Sequence, residues 1–229
     1  MAIKIKENDF KKNFYETKAW QANSFVCGVD EVGRGCIAGP LVTAAAILPI
    51  NTTYPNLKDS KSMSQKELLT AYRWISNNGT FSIGIVSNNV VDKFNIRQAT
   101  LIAMKKALIG ILSQTENMYV STILVDAMPV TLSNTAYKDI PVQYFEKGES
   151  KSISIAAASI VAKVTRDRIM GKLDALFPGY QLRNHKGYGT KVHKQALKKH
   201  KPTIIHRESF LNKTFNVKEN DNGNQLSIY

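Results

Sequence analysis

The chain has 229 residues, of which 43% are hydrophobic and 9% aromatic, enough to fill a core and to exclude wholesale disorder. It carries 31 Lys and Arg against 18 Asp and Glu, a formal net charge of +13 that favours a polyanionic partner, nucleic acid ahead of an anionic membrane surface. The two cysteines, Cys27 and Cys36, are too few for a disulfide framework or a four-thiolate zinc site; residues 1–21 lack the apolar stretch of a signal peptide; and no apolar run is long enough to span a bilayer, so a soluble cytoplasmic protein with no membrane partner is expected.

In chain order, residues 1–24 read as a leader. Phe25–Val29, Leu41–Leu48 and Phe81–Val86 are short apolar or alternating runs bounded by Gly, Pro and Asn, the pattern of strands. Before the third of these, Ser64–Ser76 reads as a helix, with Ser64 as cap and Glu67 three residues on to close a capping box. Ile96–Leu112 repeats apolar residues at helical spacing. Ser121–Val125 is a strand ending on Asp126, and Val142–Phe145 is another, ending just before Lys147-Gly148-Glu149. Ile153–Phe177 is helical and ends at Pro178-Gly179; Thr190–His200 is helical and stops before Pro202. Strands first, then strands alternating with helices, predict a mixed α/β fold with an early antiparallel meander and later crossovers. From Arg183 to Lys218, ten Lys and Arg face Glu208 alone, so this stretch holds a net +9 of the total +13. The expected divisions are a leader at 1–24, a core at 25–178, a basic helical module at 179–215 and a flexible tail at 216–229.

Asp30-Glu31 directly follows an apolar strand. Adjacent carboxylates repel and are rarely buried without a partner. The next residues, Gly33-Arg34-Gly35, form a glycine-bracketed turn whose backbone N–H groups can approach a ligand, with Arg34 as a charged fork. Asp126 and Glu149 follow two further strand ends, where open α/β sheets gather their sites. Four carboxylates make an all-oxygen donor set suited to Mg²⁺ or Mn²⁺ rather than zinc or copper. On a regular strand Asp30 and Glu31 point to opposite faces, so both reach one site only if the strand ends or kinks at Val32-Gly33. His185, His193, His200 and His206 all lie in the basic module without a metal-binding spacing and read as solvated or phosphate-facing.

Gly28-Val29-Asp30-Glu31-Val32-Gly33-Arg34-Gly35, continuing through Ala38-Gly39-Pro40, closely resembles the opening motif of the type 2 ribonucleases H, specifically bacterial ribonuclease HII. Leu57-Lys58-Asp59-Ser60-Lys61, Asn95-Ile96 to Ala99-Thr100, Leu124-Val125-Asp126, Ser154 to Asp167, His185-Lys186-Gly187-Tyr188-Gly189-Thr190 and His206-Arg207-Glu208-Ser209-Phe210 are similar to that family's later motifs. The resemblance implies a ribonuclease H-like mixed five-stranded sheet flanked by helices, with a basic C-terminal helical module. It implies an endonuclease that cuts RNA in RNA–DNA hybrids and at single ribonucleotides in duplex DNA, using Mg²⁺ or Mn²⁺ and acting as a monomer. Its acidic positions carry over to Asp30, Glu31, Asp126 and Glu149 as catalytic and metal-binding residues. Glu149 departs from the family's Lys-Gly-Asp pattern by one methylene. Asp167, between Arg166 and Arg168, is the competing candidate and reads as a structural ion pair. By resemblance, Gly33, Arg34 and Gly35 contact the ribonucleotide 2′-OH, Tyr188 stacks on the following deoxyribose, and Lys58, Ser60, Lys61 and Lys186 hold phosphates. The sister ribonuclease HIII, which prefers longer hybrids, is the enzymatic alternative, and a non-catalytic nucleic-acid binder is the alternative from another class. Whether a DNA sliding clamp docks on the tail is left open.

Overall fold

The computed structural model describes residues 2–6, 10–115 and 117–216; most of the tail, including the stretch from Glu219 to Tyr229 expected to fray, lies outside them. Six strands form the sheet rather than the expected five. The additional strand is β1 (Ala2–Lys4), which pairs in parallel with a strand near residue 142. Three residues are too few to produce a readable alternation, so only the partner strand reveals it. The leader also holds a helix, α1 (Phe14–Gln21).

The meander is antiparallel as expected: β2 (Phe25–Val32), β3 (Leu41–Ile47) and β4 (Thr80–Val86) pair in sequence, with Asp30 opposite Ala44 and Thr43 opposite Gly84. Between β3 and β4, α2 (Gln65–Asn78) starts on the expected capping box of Ser64 and Glu67. After β4 comes α3 (Asn88–Leu112), kinked at Asn95, which sits at φ 64° and ψ 165°. Asn95 Oδ1 accepts from the amides of Arg97 at 3.0 Å and Gln98 at 3.1 Å, so it caps the second half of α3, where the helical stripe begins. The first half, capped by Ser87, shows no readable stripe.

β5 (Val120–Asp126) then runs parallel to β2, and β6 (Val142–Phe145) parallel to β5. The sheet order is β1-β6-β5-β2-β3-β4. A short α4 (Gly148–Lys151) leads into α5 (Ile153–Leu176), and the chain ends its described part with α6 (Leu182–His185), α7 (Lys191–His200) and α8 (Glu208–Asn216).

Strand alternation divides the core between the two faces. Cys27, Val29, Ala45 and Ile47 pack on Met104, Leu108 and Ile111 of α3. Val42, Ala44 and Ala46 face the other way, onto Ala71 and Ile75 of α2 and Ala157, Ala158 and Val161 of α5. α5 lies close on β2: a Cβ at Gly28 would fall 2.1 Å from the Ser154 carbonyl carbon. The basic module packs onto the segment after β2, where Ile37 and Ala38 share a core with Met170, Tyr180, Leu182, Leu197 and Ile205. Isolated bridges tie Cys36 to Tyr188 and Ala38 to His206. Among the described residues no helix is long and apolar enough to cross a membrane.

Candidate active site

β2 runs on past Asp30 and Glu31 and ends at Val32, before Gly33, where an end or kink was expected; its register with β3 holds through Val32. Asp30 and Glu31 do leave on opposite faces, and they meet the same neighbour for a different reason. The pairing of β2 with β5 stops at Val29 opposite Val125, so Asp126 lies level with Asp30 where β5 runs out. Past that point both faces of β2 border the strand end, and the Asp126 charge acts on Asp30 and on Glu31 alike.

Each carboxylate has its own holder. On the α5 face, Ser159 hydrogen-bonds the Asp30 side chain, and Ser60 Oγ lies 2.9 Å from Ser159 Oγ. Asp30 Oδ1 also accepts from the Glu31 amide at 2.7 Å. Glu31 Oε1 accepts from Arg34 Nη1 at 3.4 Å. Asp126 Oδ1 accepts from the Gly148 amide at 2.7 Å, which fixes the β5 end to the start of α4. One residue on, buried Glu149 accepts from Lys61 Nζ at 3.1 Å. The described residues contain four buried side-chain oxygens without a hydrogen-bond partner, and two of them are Glu31 Oε2 and Glu149 Oε2.

Desolvation and mutual repulsion raise the proton affinity of this group. Burial, then the charges of Glu31 and Asp126, hold Asp30 well above the usual carboxylate range. Burial pushes Glu31 up to about 7 against the pull of Arg34, and Asp126 up to about 6 against the Gly148 amide. Without a bound cation, folding therefore favours the protonated acids. That contribution is full below the ordinary carboxylate pKa near 4 and is lost as pH rises through about 6 and 7. Glu31→Gln is accordingly expected to raise the melting temperature in EDTA at pH 8 and to do little at pH 4.5. A gain of about 1 kcal/mol corresponds to about 2–4 °C in a chain of this size. An equal shift at both pH values would refute the repulsion.

The expected substrate-contacting residues fall into two groups. Gly33, Arg34 and Gly35 form a turn beside the carboxylates, with Gly33 at φ 97° and open space over Gly35. Lys61 extends into solvent, 79% exposed, and Tyr188 leaves 43% of its surface exposed across from Cys36. Lys58 lies at the rim in an ion pair with Glu67 at 3.0 Å. Ser60 differs from expectation. Ser60 is buried and faces Ser159 under Asp30 rather than solvent. Lys186 is half-buried in a left-handed conformation, and its carbonyl accepts from Arg166 Nη1 at 2.7 Å. Asp167 is in an ion pair, with Lys163 at 2.9 Å rather than with either neighbouring arginine.

Two of the four histidines correct the solvated reading. His193 and His206 are buried, with their Nε2 atoms 3.1 Å apart. His193 Nδ1 lies 2.9 Å from the Tyr188 carbonyl, which can only accept, so that nitrogen carries the proton. His206 Nδ1 accepts from the Thr203 amide at 3.0 Å, so its Nε2 donates to His193. Burial pushes both histidines down to about 4, and the neutral chain holds the Tyr188 backbone. Sequence reasoning also missed Ser159 and the buried Arg166 and Arg207; a serine inside an alanine-rich helix and arginines within a basic run carry no signal of burial.

The Ribonuclease HII family model matches residues 27–213. A curated ribonuclease HII from Lactobacillus gasseri is 44% identical over 197 residues, covering 86% of this chain and 74% of the relative. Among solved structures, the ribonuclease HII of an Archaeoglobus fulgidus PCNA complex superposes with a TM-score of 0.64 at 23% identity, over 80% of this chain and 94% of that one. Ribonuclease H3 from Aquifex aeolicus superposes with a TM-score of 0.62 at 20% identity, over 82% and 73%. At those identities the two structures speak for the ribonuclease H fold. The sequence matches decide between the sister enzymes: the chain belongs to the ribonuclease HII family and is a hydrolase of the ribonuclease H type.

Proposed function

We propose that this ribonuclease hydrolyses the RNA strand of RNA–DNA hybrids and incises 5′ of single ribonucleotides embedded in duplex DNA. Its products carry 5′-phosphate and 3′-hydroxyl ends. The observation behind the reading is the gathering of Asp30, Glu31, Asp126 and Glu149 beside an exposed glycine turn, with two buried carboxylate oxygens left unpartnered.

The donor set fits Mg²⁺ or Mn²⁺. It is all oxygen, and Arg34 and Lys61 only partly offset the burial and mutual repulsion that raise its acids. Among the described residues no three acids, histidines or cysteines close a metal cage by themselves. That suits Mg²⁺, which keeps one or two carboxylates and completes its shell with water and substrate phosphate. A pair of divalent ions supplies, when bound, activation of the attacking water and charge on the leaving 3′ oxygen. Asp30, Glu31, Asp126 and Glu149 would hold that pair. The Gly148 amide orients Asp126, and Ser159 orients Asp30. Arg34 and Lys61 pair with Glu31 and Glu149, and can turn to a phosphate once the carboxylates are otherwise compensated.

In this reading the Gly33-Arg34-Gly35 backbone meets the 2′-OH, the mark that separates RNA from DNA. The exposed ring of Tyr188 lies on the following sugar, where a missing hydroxyl leaves room for it. Tyr188→Ala is expected to lower kcat/KM on a single embedded ribonucleotide by about 1–3 kcal/mol and to affect a continuous hybrid less. Equal losses on the two substrates would make Tyr188 a packing residue. The enzyme acts as a monomer here. The decisive assay is a duplex with one embedded ribonucleotide, incubated with Mg²⁺, Mn²⁺ or EDTA. Incision 5′ of the ribonucleotide with either metal and none in EDTA is expected; cutting in EDTA, or none with metal, would overturn the reading.

A further inference from the structure

Arg166 on α5 and Arg207 just before α8 are both 0% exposed. Buried guanidinium groups are usually matched by a carboxylate. The bonds these two make with described residues end instead on main-chain carbonyls. Arg166 donates from Nε to Pro40 at 2.9 Å, from Nη1 to Lys186 at 2.7 Å and from Nη2 to Ala38 at 3.1 Å. Arg207 donates from Nη1 to Arg34 at 3.1 Å, and from Nε and Nη2 to Gly39 at 3.2 and 2.9 Å.

Those carbonyls belong to two segments, 34–40 after β2 and the loop that carries Tyr188. Direct contacts join the same segments: the Ile37 amide donates to Gly187 at 2.9 Å, and Cys36 bridges Tyr188. Gly33 leaves the room that Arg166 needs, since a Cβ there would sit 2.3 Å from Arg166 Nε. Arg166 thus joins the two loops, while Arg207 draws Arg34 and Gly39 together within the first of them.

Arg207 also sets an orientation. In a trans peptide the carbonyl of one residue and the N–H of the next point in opposite directions, and the described chain has no cis peptide bond. Drawing the Arg34 carbonyl inward turns the Gly35 N–H outward. Gly35 is exposed, with nothing within 4 Å of where its Cβ would be.

We propose that Arg166 and Arg207 are positioning residues of a buried cationic clamp, in which Arg166 fixes the spacing between the segment after the Gly33-Arg34-Gly35 turn and the Tyr188 loop and Arg207 aims the Gly35 amide at the substrate, so that together they set discrimination for the step from ribonucleotide to deoxyribonucleotide. This rests on the roles proposed above for the two loops. Lysine keeps the charge at either position but cannot span the carbonyls that the planar fork spans.

The test compares kcat and KM of wild type, Arg207→Lys, Arg166→Lys and Tyr188→Ala on an embedded ribonucleotide and on a continuous hybrid. The lysine variants are expected to lose about ten- to a hundredfold in kcat on the embedded ribonucleotide, as a small misplacement of reacting groups does, and only a few-fold on the hybrid. A wild-type enzyme that ignores the embedded ribonucleotide overturns the clamp together with the reading it rests on. If wild type cuts that substrate and Tyr188→Ala alters the preference while the lysine variants do not, the clamp alone falls. Should the lysine variants unfold, the amide signal of Gly35 in the wild-type protein in EDTA decides. It is expected to shift on adding the ribonucleotide-bearing duplex and to stay in place with the matched all-DNA duplex. No shift with the first, or equal shifts with both, overturns the proposal.

Discussion

Asp126→Asn is expected to abolish cleavage while leaving the fold and duplex binding intact. Asp126 is the acid whose charge reaches both Asp30 and Glu31, and its other neighbour, Gly148, fixes the start of the segment that carries Glu149. Asparagine keeps the shape and can still accept from Gly148, so the backbone should not move. What is lost is the anionic oxygen that, on the proposed reading, would serve both halves of the cation site. Metal assistance of this kind is worth several kcal/mol, so a loss of about 10³-fold or more in kcat is expected. Circular dichroism and duplex affinity in EDTA should match wild type. Near-normal turnover in the variant would remove the two-metal reading.

A large stability effect is expected at Gly28, where no catalytic group is involved. Its missing side chain lets β2 and α5 touch backbone to backbone; a Cβ would fall 2.3 Å from both the Ile155 nitrogen and the Ser154 oxygen. Those atoms belong to the buried first turn of a long helix and cannot swing aside as a side-chain tip could. Gly28→Ala should cost about 3 kcal/mol or more, beyond the common range for overpacking, and lower the melting temperature by about 6–12 °C. It should also slow catalysis, because α5 carries Ser159 against Asp30. A melting temperature within a degree of wild type would show that the helix can move off the strand.

Much of this was legible in the chain. Strand ends announce themselves through apolar runs that stop at a carboxylate, and this brought Asp30, Asp126 and Glu149 into view. The capping box at Ser64 and Glu67 is local chemistry and formed as read. What escaped reading depends on partners far along the chain. β1 is a strand only because Ala2 to Lys4 lie beside Val142 to Tyr144. The meeting of Asp30 and Glu31 rests on where β5 stops, a fact of register that neither residue's own sequence holds. The buried histidines and Arg207 sit in a run rich in lysine, and residue type alone could not separate those that turn inward from those that stay in solvent; Arg166 lies in the helix before it.

The leader carries a consequence for the order in which the molecule is assembled. Asn13 Oδ1 accepts from the Ile153 amide, and the Glu16 carboxylate accepts from the Ser152 hydroxyl and the Ser154 amide, across sequence separations of 140, 136 and 138 residues. The polar contacts at the start of α1 therefore cannot form until the start of α5 has been synthesised, although α1 also packs on Val26 and Leu124 of earlier strands. Contacts this distant in sequence slow folding, because the loop must be closed before anything is gained. They also place the Asn13 and Glu16 contacts after synthesis of Asp30, Glu31, Asp126 and Glu149, so the start of α5 beside Glu149 is tied down late. A chain paused before Ser152 would hold these acids, from two strands and α4, on a scaffold in which the start of α1 is not yet tied down.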